Sequence, residues 1–139
     1  MHRLLRAFRA TCYGAGPAVA RIGRRCPALD GLCGRQGGAF VTAWNPQGRR
    51  APVGRNVRAN TALLGWLRRL PNVPGAGEGR SWREEHWFAI LDPRRAAVLA
   101  RRFRQAAIVT LRRGQPARLV VLPRRTWTLG SGRSRAART

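Results

Sequence analysis

Residues 87–111 read WFAILDPRRAAVLARRFRQAAIVTL, and this stretch decides the fold. The runs 87–91 and 106–111 are almost continuously apolar, which is typical of strands buried on both faces. Between them, Asp92 is a good helix N-cap and Pro93 suits the first helical position. Apolar residues then keep helical spacing, with the arginines mainly on the other side. The stretch therefore predicts a strand–helix–strand unit.

The flanking segments extend this unit to seven elements. The additional elements are a strand at 39–44 stopped by Asn45-Pro46, a helix from about 56 to 70, a weak strand around 72–76, and a turn at 112–116 leading into a strand at 117–122. The first six elements match the split β-α-β pattern of ferredoxin-like sandwiches. We therefore expect an α+β fold, a small ferredoxin-like two-layer sandwich with a C-terminal hairpin, whose helices cover one face of an antiparallel or mixed sheet.

The length of 139 residues predicts a single domain, and both ends of the chain are basic. We expect a flexible extension over 1–37, a core domain over 38–122 and a disordered tail over 123–139. The basic start superficially suits an organelle transit peptide, but it lacks the serine content of a transit peptide and the apolar region of a secretory signal. No apolar run approaches the length of roughly 18 residues that a membrane span needs.

The charge balance is extreme, with 28 basic residues, all of them arginine, against five acidic ones, for a net +23. A GC-rich coding bias would explain arginine in place of lysine, but it would not explain the shortage of acids. Such a field attracts polyanions, nucleic acid above all. Arg94, Arg95, Arg101 and Arg102 recur along one exposed side of the second helix, so they are candidates for sequence-nonspecific nucleic-acid binding. The alternative is a merely solvated face.

Most chemistry has no motif here. Cys12, Cys26 and Cys33 are odd in number, lack a C-x-x-C pair and have no histidine at metal-ligand spacing, so we expect no metal site and no cofactor. Free reduced thiols fit a cytoplasmic protein. No nucleophile elbow, P-loop or dinucleotide-binding fingerprint is present, and no residue is assigned as catalytic. Residues 84–86, Glu-Glu-His, form the single cluster of titratable side chains that could carry out acid–base chemistry. Neighbouring residues on a strand, however, point to opposite faces.

Several motifs, in order, resemble a bacterial family known as domain of unknown function 3293, over about residues 39–121. They are FVTAWNP at 40–46, Asn56 and Asn60 leading into Leu63-Leu64 and Leu67, GEGR at 77–80, Trp82 and Glu85 before Phe88, and Phe103, Gln105 and Ala107-Ile108. The chain departs from the family at two points. It has His86-Trp87 where the family usually has Pro-Ser, and Arg104 where the family usually has Gly. The family has no established activity, so the resemblance implies no mechanism.

The resemblance selects candidate ligand-binding residues, which are Asn45, Asn56, Asn60, Trp82, Glu85 and Gln105. Each also has a structural interpretation, because buried amides and carboxylates must be hydrogen-bonded whatever their function. Asn45 suits a turn and Asn56 suits a helix N-cap. We expect Gln105 to lie beside Glu85, with Asn45 and Asn56 at the opposite end of the sheet if the two strands are parallel.

The sequence thus favours a non-catalytic binding module for an unknown small ligand or a protein partner, with no membrane association. One alternative is weak nonspecific nucleic-acid binding through the arginine-rich surfaces. A second alternative is an enzyme that uses Glu85.

Overall fold

A computed structural model describes residues 2–123. Its elements are α1 (His2–Ala10), β1 (Cys12–Ala15), β2 (Ala18–Ala20), α2 (Pro27–Cys33), β3 (Gly38–Val41), a 3-10 turn (Pro46–Gly48), α3 (Val53–Leu67), β4 (Asn72–Glu78), β5 (Arg83–Ile90), α4 (Pro93–Arg102), β6 (Ala107–Leu111) and β7 (Arg118–Val121). Within these residues the seven strands form one antiparallel sheet in the order β2-β1-β4-β5-β3-β6-β7. The predicted tail, 123–139, lies outside the described residues except for Pro123.

The strand–helix–strand unit predicted from residues 87–111 is confirmed. Asp92 caps α4, since its carboxylate accepts a hydrogen bond of 2.7 Å from the Arg94 N–H, and Pro93 is the first helical residue. The C-terminal hairpin is confirmed as well, with β6 and β7 paired in antiparallel register from Ala107↔Val121 to Thr110↔Arg118. The strands flanking α4 are not neighbours, because β3 lies between β5 and β6.

The sheet has two covered faces. Strand alternation sends Phe40, Phe88 and Val109 to one face, which we call the pocket face, where they pack with Tyr13 and Leu29. The other face, which we call the α3/α4 face, carries Ala39, Val41, Ala89 and Ile108 under the buried residues Leu63 and Leu67 of α3 and Ala96 and Ala100 of α4. A mixed α+β fold is therefore confirmed. Helices pack on both faces rather than on one, and the finer ferredoxin-like description stays a prediction.

The N-terminal segment is part of the sheet. We expected a flexible extension over 1–37, but its described part holds α1, β1, β2 and α2. β1 pairs with β4 through Cys12↔Glu78 and Tyr13↔Gly77, and Leu29 of α2 is only 1% exposed. The predicted weak strand at 72–76 is in fact β4, seven residues long and paired on both sides. Apolar side chains buried in this segment offset its ordering entropy.

The sheet is strongly curled. The chain leaving β2 meets the chain entering β7, where the Gly23 N–H donates to the Ala117 carbonyl at 2.8 Å and the Ala117 N–H donates to the Arg24 carbonyl at 2.9 Å. This contact gives the N-terminal segment a second attachment, on the far side of the sheet from β4. No helix among residues 2–123 is long and apolar enough to cross a membrane.

Candidate functional site

A pocket of about 590 Å³ opens on the pocket face of the sheet, at the end where β3 finishes and β5 and β6 begin. Aromatic side chains line much of it, namely Phe8, Tyr13, Phe40, Trp44 and Trp82. Helix α1 forms one wall. It is held there by half-buried Leu4 and Phe8, with the Phe8 carbonyl accepting a hydrogen bond of 3.0 Å from the Tyr13 hydroxyl. The segment expected to be an extension therefore encloses the pocket.

A pair of asparagines shapes the rim. Asn45 follows β3 in a left-handed conformation with φ of 44°, and its N–H donates to the Asn56 Oδ1 at 2.9 Å. In return, the Asn56 Nδ2 donates to the Asn45 Oδ1 at 2.8 Å. The predicted N-cap role of Asn56 is wrong. Helix α3 begins one turn earlier, at Val53, and Asn56 is 1% exposed inside it. The side chain fixes the loop after β3 instead of capping a helix.

Glu84 places a carboxylate in this rim. Its Oε1 accepts a hydrogen bond of 3.0 Å from the Asn45 Nδ2. Burial raises the pKa of the Glu84 carboxyl, and the bond from Asn45 opposes that shift only in part. The two ion pairs among residues 2–123 are Arg25–Asp30 and Arg83–Glu78, so within the described residues Glu84 has no cationic partner.

His86 lies two residues further along β5 and therefore on the same face. It is 5% exposed, and its Nε2 lies 2.6 Å from the Gly14 carbonyl of β1. Because a carbonyl can only accept, Nε2 carries the proton. Burial lowers the pKa of His86 to about 4, outweighing the bond to Gly14, so the ring is neutral near pH 7. Its ring centroid lies 4.9 Å from that of Phe40, in the aromatic wall.

Glu85 and Asn60 belong to the α3/α4 side. The Glu85 side chain is exposed, while its backbone carbonyl accepts from the Asn60 Nδ2 at 3.0 Å and from the Thr42 hydroxyl at 2.6 Å. The Asn60 Oδ1 accepts from the Ala43 N–H at 2.7 Å. Asn60 therefore ties α3 to β3 and β5. Neither Asn60 nor Glu85 lines this pocket.

Gln105 does line the pocket, beside β3 rather than beside Glu85. Its Nε2 donates to the Trp44 carbonyl at 3.2 Å and to the Phe103 carbonyl at 3.4 Å. Because β3 is antiparallel to both β5 and β6, the parallel arrangement considered from the sequence does not occur. Asn45, Asn56, Trp82 and Gln105 therefore share one end of the sheet. Arg104 has φ of 57°, which explains why glycine suits this position in the family.

The arginine candidates lie elsewhere. Arg94, Arg95, Arg101 and Arg102 are all exposed on α4, as predicted from their spacing. The Arg102 guanidinium carbon lies 4.3 Å from the ring centroid of Trp66 on α3. This surface is separate from the pocket, whose lining includes none of these residues.

Residues 2–123 contain no group of three or more His, Cys, Asp or Glu side chains that could hold a metal ion. Cys12, Cys26 and Cys33 are unpaired.

Sequence reasoning missed Glu84 and His86 as pocket residues. Their spacing of two on a strand was the available signal, but it could not say which face would carry a pocket.

Comparison with known proteins agrees with the family resemblance of the sequence motifs. The family described as "Protein of unknown function (DUF3293)" matches residues 41–108, from the last residue of β3 into β6. No curated protein and no solved structure matches the chain. The matched segment includes Trp44, Asn45, Glu84 and Gln105, whereas α1 and β1, which complete the pocket, lie outside it. Over residues 41–108, the chain is similar to the DUF3293 family of proteins of unknown function.

Proposed function

We propose that this protein is a small-molecule-binding module whose ligand site is the pocket between the sheet and α1. The observation that carries the proposal is Glu84, a carboxylate with a burial-raised pKa and no cationic partner among the described residues, set in an aromatic pocket. The volume of about 590 Å³ falls within the range of roughly 300–1,000 Å³ found for ligand sites. An apolar lining with a few convergent polar groups is also what such sites have in common.

The pocket chemistry favours a ligand with a protonated nitrogen on a flat, apolar body. One Glu84 oxygen accepts from Asn45, which leaves acceptor capacity on the carboxylate for a ligand ammonium or amidinium group. The faces of the Trp44 and Trp82 rings carry negative electrostatic potential, which attracts a cation. The same rings can stack against a flat ligand. Arg50 and Arg83 also line the pocket, and Arg83 is paired with Glu78 at 3.1 Å. Neutral His86 adds no further opposing charge near pH 7.

Binding is better supported than acid–base catalysis. A general base works best when its pKa lies near the operating pH, and the His86 pKa of about 4 is far below it. The protonated Nε2 of His86 is also occupied by the Gly14 carbonyl. The pair Glu84 and His86 therefore offers one acceptor for a ligand and one wall residue, rather than two groups ready to exchange protons.

A thermal-shift panel on the full chain tests the proposal. Benzamidine and tryptamine serve as cationic probes, with benzamide and tryptophol as their neutral counterparts, in ~0.15 M salt to screen the net positive charge. At about ten times Kd, a cationic probe should stabilise the fold by about 1.4 kcal/mol, which is roughly 4 °C in Tm. The neutral counterparts should give a much smaller shift.

Two adjacent glutamates provide a matched control. Glu84→Gln and Glu85→Gln remove the same charge from neighbouring positions on opposite faces of β5. Losing a charge-assisted hydrogen bond worth about 1.5–3 kcal/mol should weaken cation binding at least tenfold in Glu84→Gln. Glu85→Gln should bind as the wild type does. Equal stabilisation by cationic and neutral probes, or equal losses in both variants, would refute the proposal.

A further inference from the structure

Trp66 is an exposed aromatic with no role in the core. It lies in the last turn of α3 and is 54% exposed, whereas its neighbours Leu63 and Leu67 are almost fully buried against the sheet. An exposed tryptophan keeps apolar surface in contact with water and so gives up the favourable free energy of burying it, whereas a polar residue at the same position would have no such surface to bury. More than half of its surface is therefore available to a partner.

One arginine lies over this ring, and three more are exposed on the same helix as that arginine. The Arg102 guanidinium lies over it at 4.3 Å, and Arg95 sits two helical turns earlier, on the same face of α4 as Arg102. Arg94 and Arg101 add two more exposed cations on that helix. We call Trp66 and these four arginines the arginine surface.

The arginine surface lacks acids. Neither α3 nor α4 contains an Asp or Glu. The two ion pairs in residues 2–123 use Arg25 and Arg83, both outside these helices, so within that range the surface arginines have no carboxylate partner. Their charge is available to an external anion, and the net charge of +23 reinforces the attraction.

We infer that the arginine surface binds single-stranded nucleic acid, with phosphates on Arg95 and Arg102 and an unpaired base stacked on Trp66. Guanidinium groups match phosphate geometry through paired N–H donors. An aromatic ring beside a basic track is how single-strand binders hold successive bases without reading their sequence. Charge alone does not distinguish a single strand from a duplex, but stacking requires an unpaired base, so Trp66 selects the single strand.

Fluorescence anisotropy on the full chain tests this with a labelled oligothymidine of about twelve nucleotides, which spans a typical single-strand site. Trp66→Ala should weaken binding about tenfold without changing the salt dependence, because stacking releases no counterions. The double variant Arg95→Gln/Arg102→Gln should lower both the affinity and the slope of log affinity against log salt, by about 0.7 for each phosphate that is no longer neutralised. Arg21→Gln/Arg24→Gln is the matched control, because it removes two exposed charges from the loop before α2.

Three results would overturn the inference. The first is equal loss of affinity in the two arginine double variants, which would assign binding to net charge. The second is unchanged oligothymidine affinity in Trp66→Ala. The third is Trp66-dependent binding to vesicles containing anionic phosphatidylserine without binding to the oligonucleotide, which would make the partner a lipid surface.

Photocrosslinking locates the contact independently of affinity, which matters because residues 123–139 hold five further arginines. With 5-iodouracil in the oligonucleotide, the crosslink should fall on the peptide that contains Trp66. Crosslinks confined to residues 123–139 would contradict the inference. Since Trp66 is more than half exposed, its replacement should lower Tm by no more than a few degrees, including the loss of the Arg102 contact, and a circular dichroism melt checks that the variant is folded.

Discussion

Replacing Asn56 with alanine should destabilise the fold by about 2.5–4.5 kcal/mol. The change removes the Oδ1 acceptor of the Asn45 N–H at 2.9 Å and the Nδ2 donor to the Asn45 Oδ1 at 2.8 Å, both at a position that is 1% exposed. Each lost bond costs about 1 kcal/mol, and a buried group left unsatisfied adds about 1–3 kcal/mol. The better helix propensity of alanine returns only about 0.6 kcal/mol. For a chain of this length, the change corresponds to roughly 7–18 °C in Tm.

Chemical denaturation of Asn56→Ala and of the control Thr61→Ala measures this effect. Thr61 lies on the exposed side of the same helix, so its change should stay within about 0.5 kcal/mol. A double-mutant cycle with Asn45→Gly isolates the side-chain pair, because glycine tolerates the φ of 44° at that position. We expect a coupling energy of about 1 kcal/mol. A loss in Asn56→Ala no larger than that in Thr61→Ala would refute the role assigned to Asn56.

Three further predictions concern packing, pH and thiol reactivity. In chemical denaturation, Gly75→Ala should destabilise the fold by more than about 2 kcal/mol, because a Cβ there would collide with the Gly14 carbonyl of β1. The control Gly65→Ala, on the exposed side of α3, should stabilise it by about 0.5–1 kcal/mol. Comparable effects at the two sites would contradict the β1–β4 pairing. The His86 pKa is lowered from 6.5 to about 4, so between these two pH values the unfolded state binds a proton that the folded state does not. The free energy of unfolding should therefore fall by roughly 3 kcal/mol as the pH drops from 6.5 to 4. His86→Gln should flatten this part of the pH–stability curve, and an unchanged curve would count against a buried neutral ring. Native alkylation with iodoacetamide, followed by mass spectrometry, should label half-buried Cys12 before buried Cys33, whose thiol pKa burial raises to about 11, and the reverse order would be inconsistent with this packing.

The local parts of the fold could be predicted from the sequence because their causes are local. Asp92 and Pro93 are read directly as a helix start, and the apolar runs around α4 are long enough to identify β5 and β6. The N-terminal strands could not be found in this way. β1 is four residues long and rich in small residues, and its pairing with β4 depends on Gly14 and Gly75 approaching closely, which no periodicity records.

The site was predictable in its residues more than in its arrangement. Asn45 and Gln105 were selected through the family resemblance, and the structure brings both to the pocket. The sequence could not decide between Glu84 and Glu85. Because side chains alternate along a strand, the two carboxylates must lie on opposite faces of the sheet, but the alternation does not indicate which face carries the pocket. That depends on α1 and β1, whose packing creates the pocket. The sequence predicted an N-cap role for Asn56, because asparagine caps helices well, but a buried asparagine can equally satisfy the backbone of a loop.

One titration tests the central claim, that the pocket binds a cationic ligand, most directly. The indole N–H signals of the tryptophans can be followed by NMR while benzamidine is added to the full chain. Trp44 and Trp82 line the pocket, whereas exposed Trp66 on α3 does not, so the chain carries its own reference signal. We predict saturable shifts at Trp44 and Trp82, a stationary Trp66 signal, and loss of the shifts in Glu84→Gln but not in Glu85→Gln. Shifts at Trp66 with Trp44 and Trp82 unmoved, or shifts that persist in Glu84→Gln, would contradict the claim.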